Sequence, residues 1–283
     1  MARQTRAPAR AAAKPAKPPA PKRRTAKPVH PEAPPEPPRK APRKAPTEAA
    51  TTADSKAIAP RDMTPPEILQ FLSDLARAWP DAETELHYSS PFTLLIAVVL
   101  SAQATDASVN RVTPALFAAA PTPAAMVALG EEGVAALIRT IGLWRNKAKN
   151  VVELSRQMLE HHNGEVPGTR EALEALAGVG RKTANVVLNV AFHQPTVPVD
   201  THVFRLANRT GLGRGKTVEA VEAALERRIP ADMIRDSHHW LILQGRYVCK
   251  ARKPECWRCA ASEPCLYPAK TDRPTLKPPR RTA

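Results

Sequence analysis

The sequence has no apolar stretch long enough to cross a bilayer. The longest, Phe92 to Leu100, falls far short of the roughly 20 residues a spanning helix needs. The N-terminus lacks the apolar core of a signal peptide, which argues against export. It is rich in Arg and poor in acids, as transit peptides are. Its many prolines and few serines argue against the amphipathic helix such peptides form, so organellar targeting is the lesser alternative. Cysteine is scarce. All four, Cys249, Cys256, Cys259 and Cys265, fall within 17 residues. Disulfides of a secreted protein would be spread to close long loops, so this clustering indicates a metal or cluster site in a reducing compartment. No segment alternates as a strand does, and no long repeat is visible. The expected fold is all-α, with many short helices.

What the chain has in excess is positive charge, +15 over 283 residues. Residues 1–62 carry a net +10 and residues 270–283 a net +4, leaving about +1 for residues 63–269. The basic character belongs to two tails, and the core must meet a polyanion through local patches. Such a balance favours a nucleic-acid partner over anionic lipid. The first 62 residues are dominated by Ala, Pro, Lys and Arg and bury too little apolar surface to offset their ordering entropy. They are expected to be a disordered tail, either passively solubilising or weakly attracted to polyanions.

Ordered sequence is expected from about Thr64. Pro65 and Pro66 sit at a helix start, with Ile68, Leu72, Leu75 and Trp79 on one face. Ser89-Ser90-Pro91 reads as a cap and first turn for a helix over Phe92–Ala102, apolar on nearly all sides and hence buried. Further helices are expected near 107–118, 131–140, 147–161, 170–177, 181–191, 202–209, 216–228 and 237–248, with Gly164 as a C-cap.

The segment Leu176-Ala177-Gly178-Val179-Gly180-Arg181-Lys182 joins two helical patterns. Its glycines allow positive φ and close approach of a partner, and the amides at a new helix start suit a phosphate. This is either an ordinary helical turn or a hairpin that clamps one nucleic-acid strand. A nucleotide-binding P-loop competes, but it needs Gly directly before the Lys, where Arg181 stands, and a preceding strand, where a helix is expected. Lys182 lies in the first helical turn, where the dipole disfavours a cation, and burial would favour the neutral, nucleophilic amine further. Position alone fits a phosphate contact at least as well. Asp200 is placed to cap the following helix. Beside the lysine, its carboxylate would instead accept a proton and stabilise positive charge.

The cysteines are spaced C-x6-C-x2-C-x5-C. Four thiolates suit structural zinc or a [4Fe-4S] cluster. Zinc ribbons usually show two close pairs and only Cys256/Cys259 is one, so the spacing leans towards iron–sulfur. Lys250, Arg252 and Lys253 lie in the first interval, as a solvated charge run or as phosphate contacts.

Taken in order, the stretches SSPFTLLIAVVLSAQATD, IGLWRNKAKNV, HNGEVP, LAGVGRKTANVVLN, VPVDTHVFRLANRT, HHWLILQGRYVC and the cysteine group resemble the endonuclease III family of base-excision glycosylases. The resemblance spans about residues 64–268. It implies two helical domains around a DNA-binding cleft: residues 84–194 with a helix-hairpin-helix, and residues 63–83 plus 195–269 with a [4Fe-4S] loop, flanked by the tails 1–62 and 270–283. It implies Lys182 as a Schiff-base nucleophile and Asp200 as the catalytic carboxylate, and Gly178, Val179 and Gly180 as the hairpin turn on DNA. Gln103 and Leu143 are implied to fill the gap left by a flipped nucleotide, replacing part of the lost stacking. A core position is the alternative for Leu143. The cysteine spacing is that of the family's cluster loop. Ala177 departs from the family, which commonly has Pro there.

The implied activity is removal of oxidised pyrimidines from double-stranded DNA followed by β-elimination at the abasic site. It requires no catalytic metal or nucleotide, and fits a monomer in the bacterial cytoplasm, associated with the nucleoid. The rivals are an adenine-type monofunctional glycosylase, which lacks the hairpin lysine and carries a further C-terminal domain, and a non-catalytic helix-hairpin-helix DNA-binding protein, which would not need Lys182 and Asp200 together.

Overall fold

The computed structural model describes residues 58–274, and the expected N-terminal tail and the end of the C-terminal one lie outside the described residues. Among the described residues there are ten α-helices and no strand: α1 Pro65–Ala78, α2 Pro91–Ser101, α3 Asp106–Ala119, α4 Pro123–Ile138, α5 Trp144–His161, α6 Arg170–Glu174, α7 Arg181–Phe192, α8 Thr201–Thr210, α9 Val218–Arg228 and α10 Ile234–Tyr247. No single one is long and apolar enough to cross a membrane.

Local chemistry sets the helix starts. Glu67 reaches back to the Thr64 amide at 2.6 Å and its hydroxyl at 3.0 Å, and Pro65 opens α1. Ser90 accepts from the Thr93 amide at 3.2 Å ahead of Pro91, and every residue from Phe92 to Leu100 is buried. α4 departs from the expected 131–140. It begins eight residues earlier, capped by Thr122 with Pro123 in its first turn, and breaks at Gly130 (φ 70°, ψ 171°). α6 stops at Glu174 instead of continuing to 177, because the chain already turns at Ala175.

The helices enclose two apolar cores. One is built from α2 to α7, with Leu94, Leu95, Ile96, Leu100, Leu116, Met126, Leu154 and Met158 at its centre. The other takes Phe71, Leu72 and Leu75 from α1 and joins them to Val203 and Leu206 of α8, Leu225 of α9 and Leu241 of α10. The segment before α1 straps onto this second core. The Ala59 amide donates to the Asn208 carbonyl at 3.0 Å, the Met63 amide to the Gly211 carbonyl at 2.8 Å, and Asp62 pairs with Arg214 at 2.7 Å and Arg228 at 2.9 Å. Gly211 is required there: its φ is 84°, and a Cβ would sit 2.7 Å from the Arg61 carbonyl oxygen.

Candidate active site

A cleft lies where α2 and α7 of the first core face α8, α9 and α10 of the second. Its walls include Val98, Ser101, Gln103, Arg181, Lys182, Asp200, Phe204 and Glu222. A smaller recess continues from it past Lys182 and Asp200 to Glu85, Asp106, His238 and Arg246. Lys182 and Asp200 are the residues common to both that carry a charge.

Lys182 is the second residue of α7, preceded by Gly180 at the N-cap. It is exposed, not buried. No side chain caps α7. The first amide bonded inside it is that of Ala184, to the Gly180 carbonyl at 2.9 Å, so the amides before it are free to meet an anion. The turn before it is held from behind. Gly178 has φ 77°, and a Cβ there would fall 2.7 Å from Asn150 Nδ2 on α5. A Cβ on Gly180 would meet nothing within 4 Å, so this side of the turn is open to a partner. The Ala177 amide donates to Gln157 Oε1 at 2.8 Å, a bond that a proline at this position would lack.

Asp200 is half-buried and does cap α8. Both cap bonds, from the His202 and Val203 amides at 2.8 Å, go to Oδ1. Oδ2 makes no hydrogen bond within the described residues, so capping and a chemical role do not compete for the same oxygen. The strand of chain leading to Asp200 is tied to α7 by Asn189 Nδ2, which donates to the Thr196 carbonyl at 2.9 Å, and by Thr196 Oγ1, which donates to the Asn185 carbonyl at 2.8 Å. These bonds fix the backbone that carries Asp200 against the helix that carries Lys182.

Four features of the cleft escaped the sequence reading. Glu222 on α9 has a side chain only 2% exposed and grips Arg181. His238 is buried beside the recess with Nδ1 unpartnered. Burial first, then His239 and the Lys182 charge, hold its imidazole well below the usual histidine range. Arg246 Nη1 pairs with Asp106 at 2.9 Å and with Glu85, and Tyr247 donates to Glu85 at 2.7 Å. Burial opposes the Arg246 charge, but Glu85 and Asp106 outweigh it and hold the guanidinium protonated. These groups are polar residues on otherwise ordinary amphipathic helices, and only their partners from distant segments distinguish them.

Gln103 and Leu143 stand on two exposed loops at the first core. Leu143 is 56% exposed, which removes the core alternative for it. Both have left-handed backbones, with φ 55° and 58°.

The four cysteines line one cavity with Phe71, Leu206, Arg209, Gln244 and Val248. Trp79 Nε1 donates to Gln244 Oε1 at 3.2 Å, which turns the amide so that Nε2 donates to Cys259 Sγ at 3.0 Å. Arg209 Nη1 lies 4.0 Å from Cys249 Sγ and donates to the Lys250 carbonyl at 2.7 Å, while Nη2 donates to that of Ala251 at 2.9 Å. Burial pushes the Cys249 and Cys265 thiols up, and that of Cys259 up to about 11. No three His, Cys, Asp or Glu side chains among the described residues converge as a single-ion site. In the loop between Cys249 and Cys256, Arg252 and Lys253 are exposed, whereas Lys250 pairs with Glu255 at 2.8 Å.

Residues 96–231 match the family described as HhH-GPD superfamily base excision DNA repair protein. Endonuclease III of Escherichia coli strain K12 is 57% identical over 204 residues, 72% of this chain and 97% of that protein. Endonuclease III of Haemophilus influenzae is 54% identical over the same shares. Among solved structures, a trapped endonuclease III–DNA covalent intermediate superposes with a TM-score of 0.68 at 46% identity, covering 72% of this chain and 96% of that one. A thermostable thymine-DNA glycosylase gives 0.66 at 26% identity, covering 71% and 96%. A helix, Arg170–Glu174, stands where a P-loop would need a strand, and the match runs through both cores: the chain belongs to the endonuclease III family.

Proposed function

We propose that this protein is a bifunctional DNA glycosylase and abasic-site lyase of base excision repair, acting on oxidised pyrimidines in double-stranded DNA. The observation that carries the reading is the shared cleft of Lys182 and Asp200, opening between two helical cores beside the free amides of α7. The endonuclease III relatives and the DNA-trapped covalent intermediate support it. The two apolar cores support a division into residues 84–194 and residues 63–83 plus 195–269, with DNA entering between them.

The damaged nucleotide is flipped into the recess. The neutral Lys182 amine attacks C1′, and the bond from C1′ to the base breaks with its electron pair leaving on the base. Asp200 takes the proton released by the amine and stabilises positive charge at the sugar. Asp200 returns that proton to O4′ as the C1′–O4′ bond breaks and C1′=N forms, and the resulting protonated imine makes C2′–H acidic. Loss of the C2′ proton and departure of the 3′ phosphate oxygen cleave the strand, and water returns the amine. Gly178, Val179 and Gly180, with the α7 amides, hold one phosphate. Gln103 and Leu143 fill the vacated stack. Arg252 and Lys253 meet phosphates near the cysteine loop, and Lys250 contributes less because Glu255 holds it.

Cys249, Cys256, Cys259 and Cys265 fit a [4Fe-4S] cluster. They surround one cavity, and Gln244 supplies a hydrogen bond to sulfur of the kind that supports thiolate ligands. Held by these four residues, a cluster would tie the C-terminal loop to the end of α10, and its iron would supply the positive charge that keeps the sulfurs as thiolates. Cytoplasmic location near the nucleoid, and monomeric action, follow from this reading.

The test is covalent trapping. Duplex DNA containing an oxidised thymine is incubated with the protein and borohydride. An adduct with the parent that disappears in Lys182→Ala is expected. No adduct with the parent, or its persistence in the variant, overturns the mechanism and favours a monofunctional glycosylase or a non-catalytic binder.

A further inference from the structure

Glu222 sits on α9, in the second core's neighbourhood, with Val221 and Leu225 packed into that core on either side. Its side chain is almost fully buried, yet both oxygens are satisfied from the other side of the cleft. Arg181 Nη2 donates to Oε1 at 2.8 Å, and Arg181 Nε lies 3.1 Å from Oε1 and 3.2 Å from Oε2. Arg170 Nη1 approaches Oε1 at 3.6 Å, and its Nη2 approaches Glu226 Oε1 at the same distance. Arg170 is the first residue of α6 and Arg181 the first of α7. One carboxylate therefore holds the leading ends of both helices that flank the hairpin turn.

The arrangement runs against helix electrostatics. A cation in the first turn of a helix opposes the dipole, and α7 starts with two, Arg181 and Lys182. The fork of Arg181 on Glu222 neutralises one of them and fixes its direction towards α9. The Glu222 hydrogen bond, working against partial burial, raises the guanidinium's affinity for its proton. A buried carboxylate is costly unless paired, so the bridge persists only in the geometry that satisfies it.

We propose that Glu222 is a positioning residue for the lysine: by gripping Arg181 and Arg170 across the cleft it sets the first turn of α7, and with it the Lys182 amine, at the distance from Asp200 that imine formation needs. This rests on the Lys182 reading above. A displacement of about 1 Å at a reacting group costs up to about a hundredfold in rate without a matching loss of binding.

The bridge is tested with two quantities measured on Glu222→Gln, Arg181→Gln, their double variant and Arg181→Lys. The first is the single-turnover rate of borohydride trapping on an abasic-site duplex at saturating protein. The second is the Kd for a duplex with a tetrahydrofuran abasic analogue, which cannot form an imine. Each Gln variant should trap about tenfold more slowly or worse, with Kd changed less than about threefold. The double variant should be no slower than the slower single one, since both remove one interaction, and Arg181→Lys should fall between. Because the Arg181 side chain is 44% exposed, Arg181→Gln reads the bridge even if Glu222→Gln does not fold. Trapping at parental rate in the folded variants overturns the inference, as does a loss of binding as large as the loss of rate. A parent protein that gives no adduct overturns the Lys182 reading itself; a normal parent with unaffected variants overturns this inference alone.

Discussion

The loops that carry Gln103 and Leu143 adjoin: the Gln103 carbonyl oxygen lies 3.7 Å from where a Cβ on Gly142, the neighbour of Leu143, would stand, and both Gln103 and Leu143 hold left-handed backbones at φ 55° and 58°. Non-glycine residues resist that conformation, at a cost of about 1–3 kcal/mol each. Two such residues on adjoining loops, both pointing into solvent, mark a spot that folding alone does not favour. Leu143→Ala should therefore leave the fold within about 0.5 kcal/mol of the parent, since the side chain is exposed. The same change should cut kcat/KM on a lesion paired in duplex DNA by about tenfold, or about 1.4 kcal/mol. Equal activity of parent and variant on duplex DNA would remove the wedge role.

The hairpin turn lacks the family's proline and replaces its rigidity by a bond. The Ala177 amide donates to Gln157 Oε1 at 2.8 Å. Gln157→Leu should cost about 1 kcal/mol in denaturant unfolding, by stranding that amide. In an Ala177→Pro background the same change should cost almost nothing, because proline has no N–H to satisfy. A full cost in both backgrounds would mean that Gln157 stabilises the protein through some other contact.

Much of this was legible in advance, and the rest was illegible for definite reasons. The caps at Thr64 and Ser90 and the prolines after them are local signals, and α1 and α2 start where those signals stand. The start of α4 carries the same kind of signal in Thr122-Pro123, but the break at Gly130 confined the visible periodicity to its second half. Lys182 and Asp200 could be named from motif, yet whether the lysine is buried could not, because burial depends on what α9 and α10 bring across the cleft; it is exposed. Asp200's two roles looked like alternatives until its oxygens were seen to divide them. Glu222 shows the limit most clearly. Its partner Arg181 is 41 residues away, and no spacing along α9 distinguishes it from a solvated acid.

The cysteine cavity makes a prediction about stability as well as colour. Cys259 takes a hydrogen bond from Gln244, itself oriented by Trp79. Cys259→Ser should abolish the visible absorption of the purified protein and its bound iron. It should also lower stability by about 3 kcal/mol or more, roughly 6–12 °C in melting temperature for a domain of this size. Gln244→Leu should keep the iron but shift the absorption or its rate of loss to a chelator, since only the support of the ligand is removed. Zinc in place of iron in the parent would overturn the cluster assignment.

His238 gives the protein a calculable weakness in acid. Its imidazole is 3% exposed, with Nδ1 unpartnered, and His239 and the Lys182 charge face it. Burial, more than either charge, keeps it neutral in the folded state, whereas the unfolded chain protonates it at about pH 6.5. The unfolded state therefore binds more protons below that pH. Stability is retained above it and falls as pH decreases, by up to about 1.4 kcal/mol per pH unit from this one group. Glu226, whose carboxyl is raised chiefly by burial and then by Glu222, acts in the opposite sense at lower pH. Comparing parent with His238→Asn by urea unfolding at pH 7.5 and 5.5 isolates the histidine, because the Glu226 contribution is common to both. The parent should lose about 1 kcal/mol more than the variant between the two conditions. Parallel losses would show that His238 takes up its proton without unfolding the protein.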